Sequence, residues 1–271
     1  MTWIPEPARV LRVHHETADT FTLHFDVKAS GRPFTPGQFN MVYVFGVGEV
    51  PISISGDPGE PDALVHTIRA VGTVTTAMKS VKRGSTLGIR GPYGNGWPIE
   101  GALGKDVIVV AGGLGIAPLR SLVYHLMRRR SDYGAVTILV GARSPADIVY
   151  RAEIERWRRR ADATVLVTVD HAGRDWTGEV SVVTALLDRV PIRANRTIAM
   201  TCGPEVMMRF TARALVARGV PAERIFLALE RNMKCALGFC GHCQYRESFI
   251  CKDGPVLRLD RIEELLWQRE I

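Results

Sequence analysis

Two styles of hydrophobic patterning divide the chain. Between about Val10 and Arg90, short apolar stretches alternate with polar positions and stop at turn residues: Phe21–Val27, Gly37–Val44, Leu64–Val71 and Thr86–Arg90. Period-two alternation of this kind predicts half-buried antiparallel strands, and several in succession predict a small β-barrel. After Gly101 the runs become continuously aliphatic and are followed by helical patterns. Val107–Ala111 precedes Leu119–Arg130, Val136–Val140 precedes Ile148–Arg160, Val165–Val169 precedes Val182–Arg189, and Thr197–Thr201 precedes Glu205–Arg218. Fully apolar strands alternating with helices predict βαβ units around a buried parallel sheet. From Met233 to about Pro255 glycines and cysteines displace both patterns. Arg258–Ile271 then predicts a charged helix with Leu259, Ile262, Leu265 and Leu266 on one face. The predicted class is therefore β plus α/β, with a barrel over 1–100, an α/β domain over 101–229, and a cysteine-rich segment with a terminal helix over 230–271. No internal repeat or low-complexity tract interrupts this order.

Composition sharpens the picture in one respect. Lys and Arg total 35 against 28 Asp and Glu, a formal charge of +7, which favours anionic ligands or an acidic partner. No feature points to nucleic acid. No apolar run reaches the roughly 18 residues of a membrane span, and Met1–Pro7 lacks a basic stretch leading into an apolar one. The expectation is a soluble cytoplasmic protein with no membrane contact.

Cysteine placement carries the first specific chemistry. Cys235, Cys240, Cys243 and Cys251 crowd one segment, while Cys202 stands apart. Disulfides are rare in a reducing compartment, so four clustered thiols predict a metal or iron-sulfur site. The spacing C-x4-C-x2-C is the plant-ferredoxin arrangement of a 2Fe-2S cluster. Gly238 and Gly241 between the ligands permit close backbone approach and N–H donation to sulfur. Zinc is the rival, since four thiolates also close a structural tetrahedral site, although zinc modules more often use two C-x2-C pairs. His242, between the ligands, reads as an exposed loop residue.

Three glycine-bearing turns supply candidate nucleotide contacts. Gly112, Gly113 and Gly115 lead from a buried strand through Ala117 and Pro118 into a helix, where backbone N–H groups can face a phosphate. A plain tight strand-to-helix turn would look the same. Cys202, Gly203 and Pro204 form a second such turn, with Cys202 either facing a ligand or serving as a small buried residue. Arg143 and Ser144, after the second strand, can reach an adenosine ribose. Arg143 reads either as a partner for a 2′-phosphate or as a surface arginine. In the β half, Pro51, Ile52 and Ser53 would offer a hydroxyl to a planar ligand, and Gly72, Thr75 and Thr76 open a short helix near a pyrophosphate.

The order of these pieces is more informative than any one of them. A strand Pro51-Ile-Ser-Ile54, a loop Gly72-x-x-Thr75, then Gly91-Pro-Tyr-Gly94, Ala111–Pro118, Gly141-Ala-Arg143 and Cys202-Gly-Pro204 resembles the ferredoxin-NADP reductase superfamily of flavoproteins over about residues 8–230. The resemblance implies FAD in the barrel, with Ser53 near its reactive N5 and Ile68 and Arg69 as further flavin contacts. It also implies Thr75 at the pyrophosphate, and NADP or NAD on the Gly112 and Cys202 turns. Val50 replaces the family's basic residue before Pro51, leaving Arg69 or Arg90 to meet the flavin phosphate. The chain also continues past Glu230, where plant-type members end in an aromatic residue.

That continuation, Leu229–Cys251, resembles two families of electron-transfer subunits that hold a 2Fe-2S cluster. They are the γ subunits of cytosolic sulfhydrogenase-type NiFe hydrogenases and the dihydroorotate dehydrogenase partners. The implied reaction passes electrons between NAD(P)H, FAD and the cluster, with Ser53, Cys202 and Glu230 positioning the reactants. The implied partners are an iron-sulfur subunit and the NiFe subunits of a hydrogenase complex. An NAD-linked dihydroorotate dehydrogenase is the alternative. A free-standing flavin reductase is a third reading, and a nucleotide-binding regulator with structural zinc is the reading of another class.

Overall fold

The structure, a computed structural model, describes residues 3–26, 33–60 and 63–268. Val27 and residues 269–271, the ends of two predicted elements, lie outside them. Contacts group the chain into two units. One comprises 1–96, 120–125 and 230–255, and the other 97–119, 126–229 and 256–271.

The first unit is built on six antiparallel strands, β1 (Glu6–His15), β2 (Thr20–Asp26), β3 (Phe39–Val44), β4 (Gly48–Ser53), β5 (Ala63–Arg69) and β6 (Thr86–Tyr93), in the order β4-β3-β6-β1-β2-β5. An antiparallel bridge between Ile54 and His66 joins the two edges and closes the barrel, removing the exposed edge that an open sheet would carry. Val10, Phe21, Leu23, Phe25, Val42, Ile54 and Ile89 fill its interior. Helix α1 (Thr73–Lys79) buries Met78 in that core.

In the second unit, β7 (Asp106–Gly112), α2 (Ile116–Arg128), β8 (Val136–Ala142), α3 (Arg151–Arg158), β9 (Thr164–Val169), β10 (Glu179–Val180), β11 (Thr197–Cys202), α4 (Glu205–Ala217) and β12 (Ile225–Ala228) alternate as predicted. The Val182–Arg189 stretch forms a 3-10 turn, Val183–Arg189, rather than an α-helix. Strand order is β10-β9-β8-β7-β11-β12-β15, with β15 spanning Val256–Arg258, and is parallel except for the last pair. Every residue of β7, β8 and β11 is buried, which accounts for their uninterrupted apolar sequences.

The cysteine segment contains a two-stranded hairpin, β13 (Gln244–Tyr245) and β14 (Ser248–Phe249), then α5 (Ile250–Asp253). It is an excursion between two neighbours of the second sheet. The chain leaves β12, and β15 (Val256–Arg258) returns antiparallel to it, pairing Ala228 with Val256 and Phe226 with Arg258. Helix α6 (Leu259–Leu266) follows and buries Leu259, Ile262 and Leu266. Among the described residues no helix is long and apolar enough to cross a membrane.

Candidate functional site

Strands β7 and β11 are adjacent, yet the chain runs from β7 outward through β8 and β9 before returning to β11. Their carboxyl ends therefore mark the point where connections diverge, the usual ligand crevice of an open α/β sheet. The two predicted glycine turns meet there. A Cβ on Gly115 would lie 2.2 Å from the Cys202 carbonyl oxygen and 2.6 Å from the Gly203 nitrogen, so this glycine exists to let the turns touch. Gly113 differs: its φ is +54° and a side chain there would meet nothing within 4 Å, leaving the turn open to a ligand. Gly112 packs on Met207 and Pro204. Ala117 and Pro118 are buried in the first turn of α2, and the Pro118 carbonyl accepts Trp97 Nε1–H at 3.1 Å.

Cys202 is buried, its thiol directed toward the Ala228 carbonyl at 3.9 Å. Arg143 is exposed at the end of β8, and its carbonyl accepts the His171 N–H at 3.1 Å. Ser144 donates to Asp147 Oδ2 at 2.7 Å, which fixes the turn after Arg143.

In the barrel unit, Pro51, Ile52 and Ser53 lie at the end of β4 and are half-buried. Ser53 is held through its main chain: its carbonyl accepts the Nδ1–H of His66 at 2.9 Å, while His66 Nε2 takes a hydrogen bond from Asn40 Nδ2 at 3.1 Å. Burial forces the His66 pKa down to about 4, against the upward pull of the Ser53 and Ile52 carbonyls. The ring is therefore neutral across the physiological range.

Thr75 shapes the entry to α1 by accepting the Val71 and Gly72 N–H groups, each at 3.0 Å, so its hydroxyl caps the turn. Gly72 and Thr76 are exposed beside it. Ile68 is buried in the barrel core and offers a ligand only its backbone. Arg69 pairs loosely with Asp19 at 3.3 Å, its Nε lacking a well-formed hydrogen bond. Glu230 is exposed, yet burial by the surrounding protein raises its carboxyl above the usual range, with Arg69 opposing.

Arg90 does not stand free for a phosphate. It pairs with Glu49 and donates to the carbonyls of Lys234 and Cys235. Sequence reasoning missed this use, because nothing local to β6 announces a partner about 145 residues away.

Backbone amides of the cysteine segment are turned onto its thiols. The Cys251 N–H donates to Cys243 Sγ at 3.5 Å. Cys235 Sγ accepts the N–H groups of Leu237 at 3.3 Å, Phe239 at 3.4 Å and Cys240 at 3.5 Å. Burial works against its ionisation, but these donors prevail and lower its pKa. The His242 N–H foremost lowers that of Cys240. Cys251, buried beside Cys243, is pushed up to about 12 despite the Gly238 N–H donated to its sulfur at 3.1 Å. Ala236 adopts a left-handed φ of 62°, the turn that sends the following amides back toward Cys235. Among the described residues no three His, Cys, Asp or Glu side chains converge on a single metal ion. Amide donors turned onto Cys235, Cys243 and Cys251 within one short segment fit the sulfurs of an iron-sulfur cluster.

Comparison with known proteins agrees with this layout. Residues 109–213 match the oxidoreductase NAD-binding domain, and residues 230–263 match the iron-sulfur cluster binding domain of dihydroorotate dehydrogenase B. The sulfhydrogenase 1 subunit gamma of Pyrococcus furiosus is 38% identical over 258 residues, covering 92% of this chain and 88% of the relative. The chain belongs to that family of electron-transfer subunits. The same family includes the probable dihydroorotate dehydrogenase B (NAD(+)) electron transfer subunit of Methanocella arvoryzae, 37% identical over 89% of this chain and 84% of the relative.

Its fold is that of the ferredoxin reductases. The structure of an NADH-dependent reduced ferredoxin-NADP oxidoreductase aligns with a TM-score of 0.76 at 24% identity, covering 97% of this chain and 94% of that one. A ferredoxin NADP+ reductase from Neisseria gonorrhoeae aligns at 0.71 and 17%, covering 84% and 98%. The resemblance expected from the sequence, and with it an oxidoreductase combining a nucleotide-binding and an iron-sulfur module, is thereby established.

Proposed function

We propose that the chain is the electron-transfer subunit of a NiFe hydrogenase complex, moving electrons between NAD(P)H and the hydrogenase through FAD and a 2Fe-2S cluster. The observation that carries the reading is the row of backbone amides turned onto the clustered cysteine sulfurs, Leu237, Phe239 and Cys240 on Cys235, Gly238 on Cys251 and Cys251 on Cys243. A flavin with such a cluster converts a two-electron hydride donor into a source of single electrons. The chain's own residues bind and orient. Ser53, aligned by His66, presents its hydroxyl from the end of β4. Pro51, Ile52 and the Ile68 backbone line the flavin's path, Arg69 offers a cation for its phosphate, and Gly72, Thr75 and Thr76 shape the pyrophosphate turn. Glu230, with Arg69 acting on its carboxyl, supplies an electrostatic group. Gly112, Gly113, Gly115, Ala117 and Pro118 hold the nicotinamide nucleotide's phosphates, Cys202, Gly203 and Pro204 flank its ring, and Arg143 and Ser144 address the ribose. Arg143 favours NADP over NAD through a 2′-phosphate.

Cys240 and Phe239 are exposed while Cys243 and Cys251 are buried, so one edge of the cluster faces outward to a redox partner. That partner belongs to the hydrogenase complex, in a soluble cytoplasmic assembly. The match to the dihydroorotate dehydrogenase B iron-sulfur domain over 230–263 supports the second reading, in which a dihydroorotate dehydrogenase receives the electrons.

The deciding experiment records visible and electron paramagnetic resonance spectra of anaerobically purified protein before and after NADPH. Flavin bleaching with the rhombic signal of one reduced 2Fe-2S centre is expected. A colourless chain that binds zinc after attempted reconstitution with flavin and iron overturns the proposal.

A further inference from the structure

We propose that Arg90, locked by Glu49, is the positioning residue that fixes the cluster loop on the barrel and thereby sets how fast electrons pass between flavin and cluster. The inference rests on the functional reading above and assigns a role to residues outside its ligand sets. The Arg90 guanidinium is only 7% exposed and all of its N–H groups are directed at acceptors. Nε and Nη2 form a fork on the Glu49 carboxylate at 2.7 and 2.5 Å. Nη1 donates to the Cys235 carbonyl at 2.8 Å and to Tyr93 Oη at 3.3 Å, and Nη2 donates to the Lys234 carbonyl at 3.1 Å. Lysine, a point charge with three donors, cannot reproduce this planar set.

The same strand end grips the other side of the loop. Asn95 N–H donates to the Gly254 carbonyl at 2.6 Å, and Asn95 Nδ2 donates to the Asp253 carbonyl at 3.0 Å. A Cβ on Gly94 would lie 2.6 Å from that Gly254 oxygen, so the two backbones meet directly. Residues 90–95 thus hold both ends of the segment that runs from Cys235 to Cys251. Arg90 anchors the carbonyl of the cysteine whose sulfur gathers three loop amides, so the loop turns about a residue fixed to β6. Strand β6 pairs with β3, and β3 pairs with β4, which carries Ser53. One hydrogen-bonded sheet therefore links the cluster loop to the flavin position.

Each hydride taken from NADPH brings two electrons and one proton. The electrons leave singly through the cluster to the partner and the proton passes to solvent. A clasp that fixes the loop acts on the transfer to the cluster and on cluster retention, and leaves hydride delivery to other residues.

The test uses the full chain loaded with flavin and cluster, with Arg90→Met, Arg90→Lys and Glu49→Gln. Stopped-flow absorbance after NADPH gives the rates of flavin and cluster reduction, and a ferrous chelator gives iron release. For Arg90→Met, the ratio of cluster to flavin reduction rates should fall about tenfold or more, and iron release should accelerate by a similar factor. Arg90→Lys and Glu49→Gln should fall between it and the wild type. An unchanged ratio and unchanged iron release overturn the proposal. Should Arg90→Met not fold, Arg90→Lys decides in the same way. A wild-type chain showing no iron-sulfur signal after reconstitution defeats the functional reading itself, which keeps the two failures apart.

Discussion

The Nδ1–H of His66 donates to the carbonyl of Ser53 at 2.9 Å from a ring that no water reaches. Because Asn40 Nδ2 faces Nε2, the second nitrogen must be the acceptor, and the tautomer is set by its partners. Protonation would place two like-facing donors against Asn40 and a charge in the barrel wall. The folded pKa of about 4 lies below the 6.5 of a free histidine. The unfolded chain therefore binds the proton first, and stability falls as pH drops from about 6.5 toward 4, by about 3 kcal/mol. Urea denaturation at a series of pH values checks this. In His66→Asn, which keeps a donor near the Nδ1 position, that acid slope should largely vanish. A slope as steep as that of the wild type would place the titration elsewhere.

The glycines after β7 separate packing from binding. A methyl on Gly115 would collide with the Cys202 carbonyl, so Gly115→Ala should push the two turns apart and lower stability by about 1–3 kcal/mol. Gly113 has open space around it, and Gly113→Ala costs only the left-handed backbone, about 1–2 kcal/mol. If the nucleotide phosphates approach that open face, Gly113→Ala should weaken NADPH binding well beyond its effect on stability. Thermal unfolding and NADPH titration of the two variants distinguish the roles. Equal loss of stability and equal affinity in both would remove the distinction.

Thiol exposure predicts the order of alkylation in the cluster-free protein. Cys240 is exposed and Cys235 half-buried, while Cys243 and Cys251 are each only 1% exposed. Iodoacetamide followed by peptide mass spectrometry should label Cys240 first and Cys235 next, with Cys243, Cys251 and Cys202 protected until the chain unfolds. Reconstitution with iron and sulfide should then protect Cys240 as well. Early labelling of Cys251 would contradict its burial.

Much of this molecule was legible in the chain because each feature has a local cause. The aliphatic runs of β7, β8 and β11 reflect strands buried on both faces, and the C-x4-C-x2-C spacing reflects a loop wrapping one cluster. What escaped depends on distant pairing. Strand β15 is three residues long, too short for its own periodicity, and exists because β12 offers an open edge. The helix expected over Val182–Arg189 carries Thr184 and β-branched Val182 and Val183 at its start, residues that lose side-chain freedom in an α-helix, and it winds as 3-10. Arg90 in isolation could be weighed only as a phosphate ligand, since its acceptors on residues 234 and 235 are a product of the tertiary fold.

Phe239 offers the last test, at the outward edge of the cluster loop. It is 85% exposed and stands next to Cys240, where a partner approaching the cluster would meet the ring. Phe239→Ser removes no hydrogen bond of its side chain and leaves the main-chain donor to Cys235 Sγ in place. Cluster content and NADPH-driven cluster reduction should therefore stay within about twofold of the wild type. Transfer from the reduced cluster to purified hydrogenase subunits should weaken about tenfold, as for an aromatic anchor at an interface centre. The net charge of +7 adds a second signature: association with an acidic partner should slow as salt rises, in the variant and wild type alike. Unchanged transfer by Phe239→Ser would move the exit edge away from Cys240.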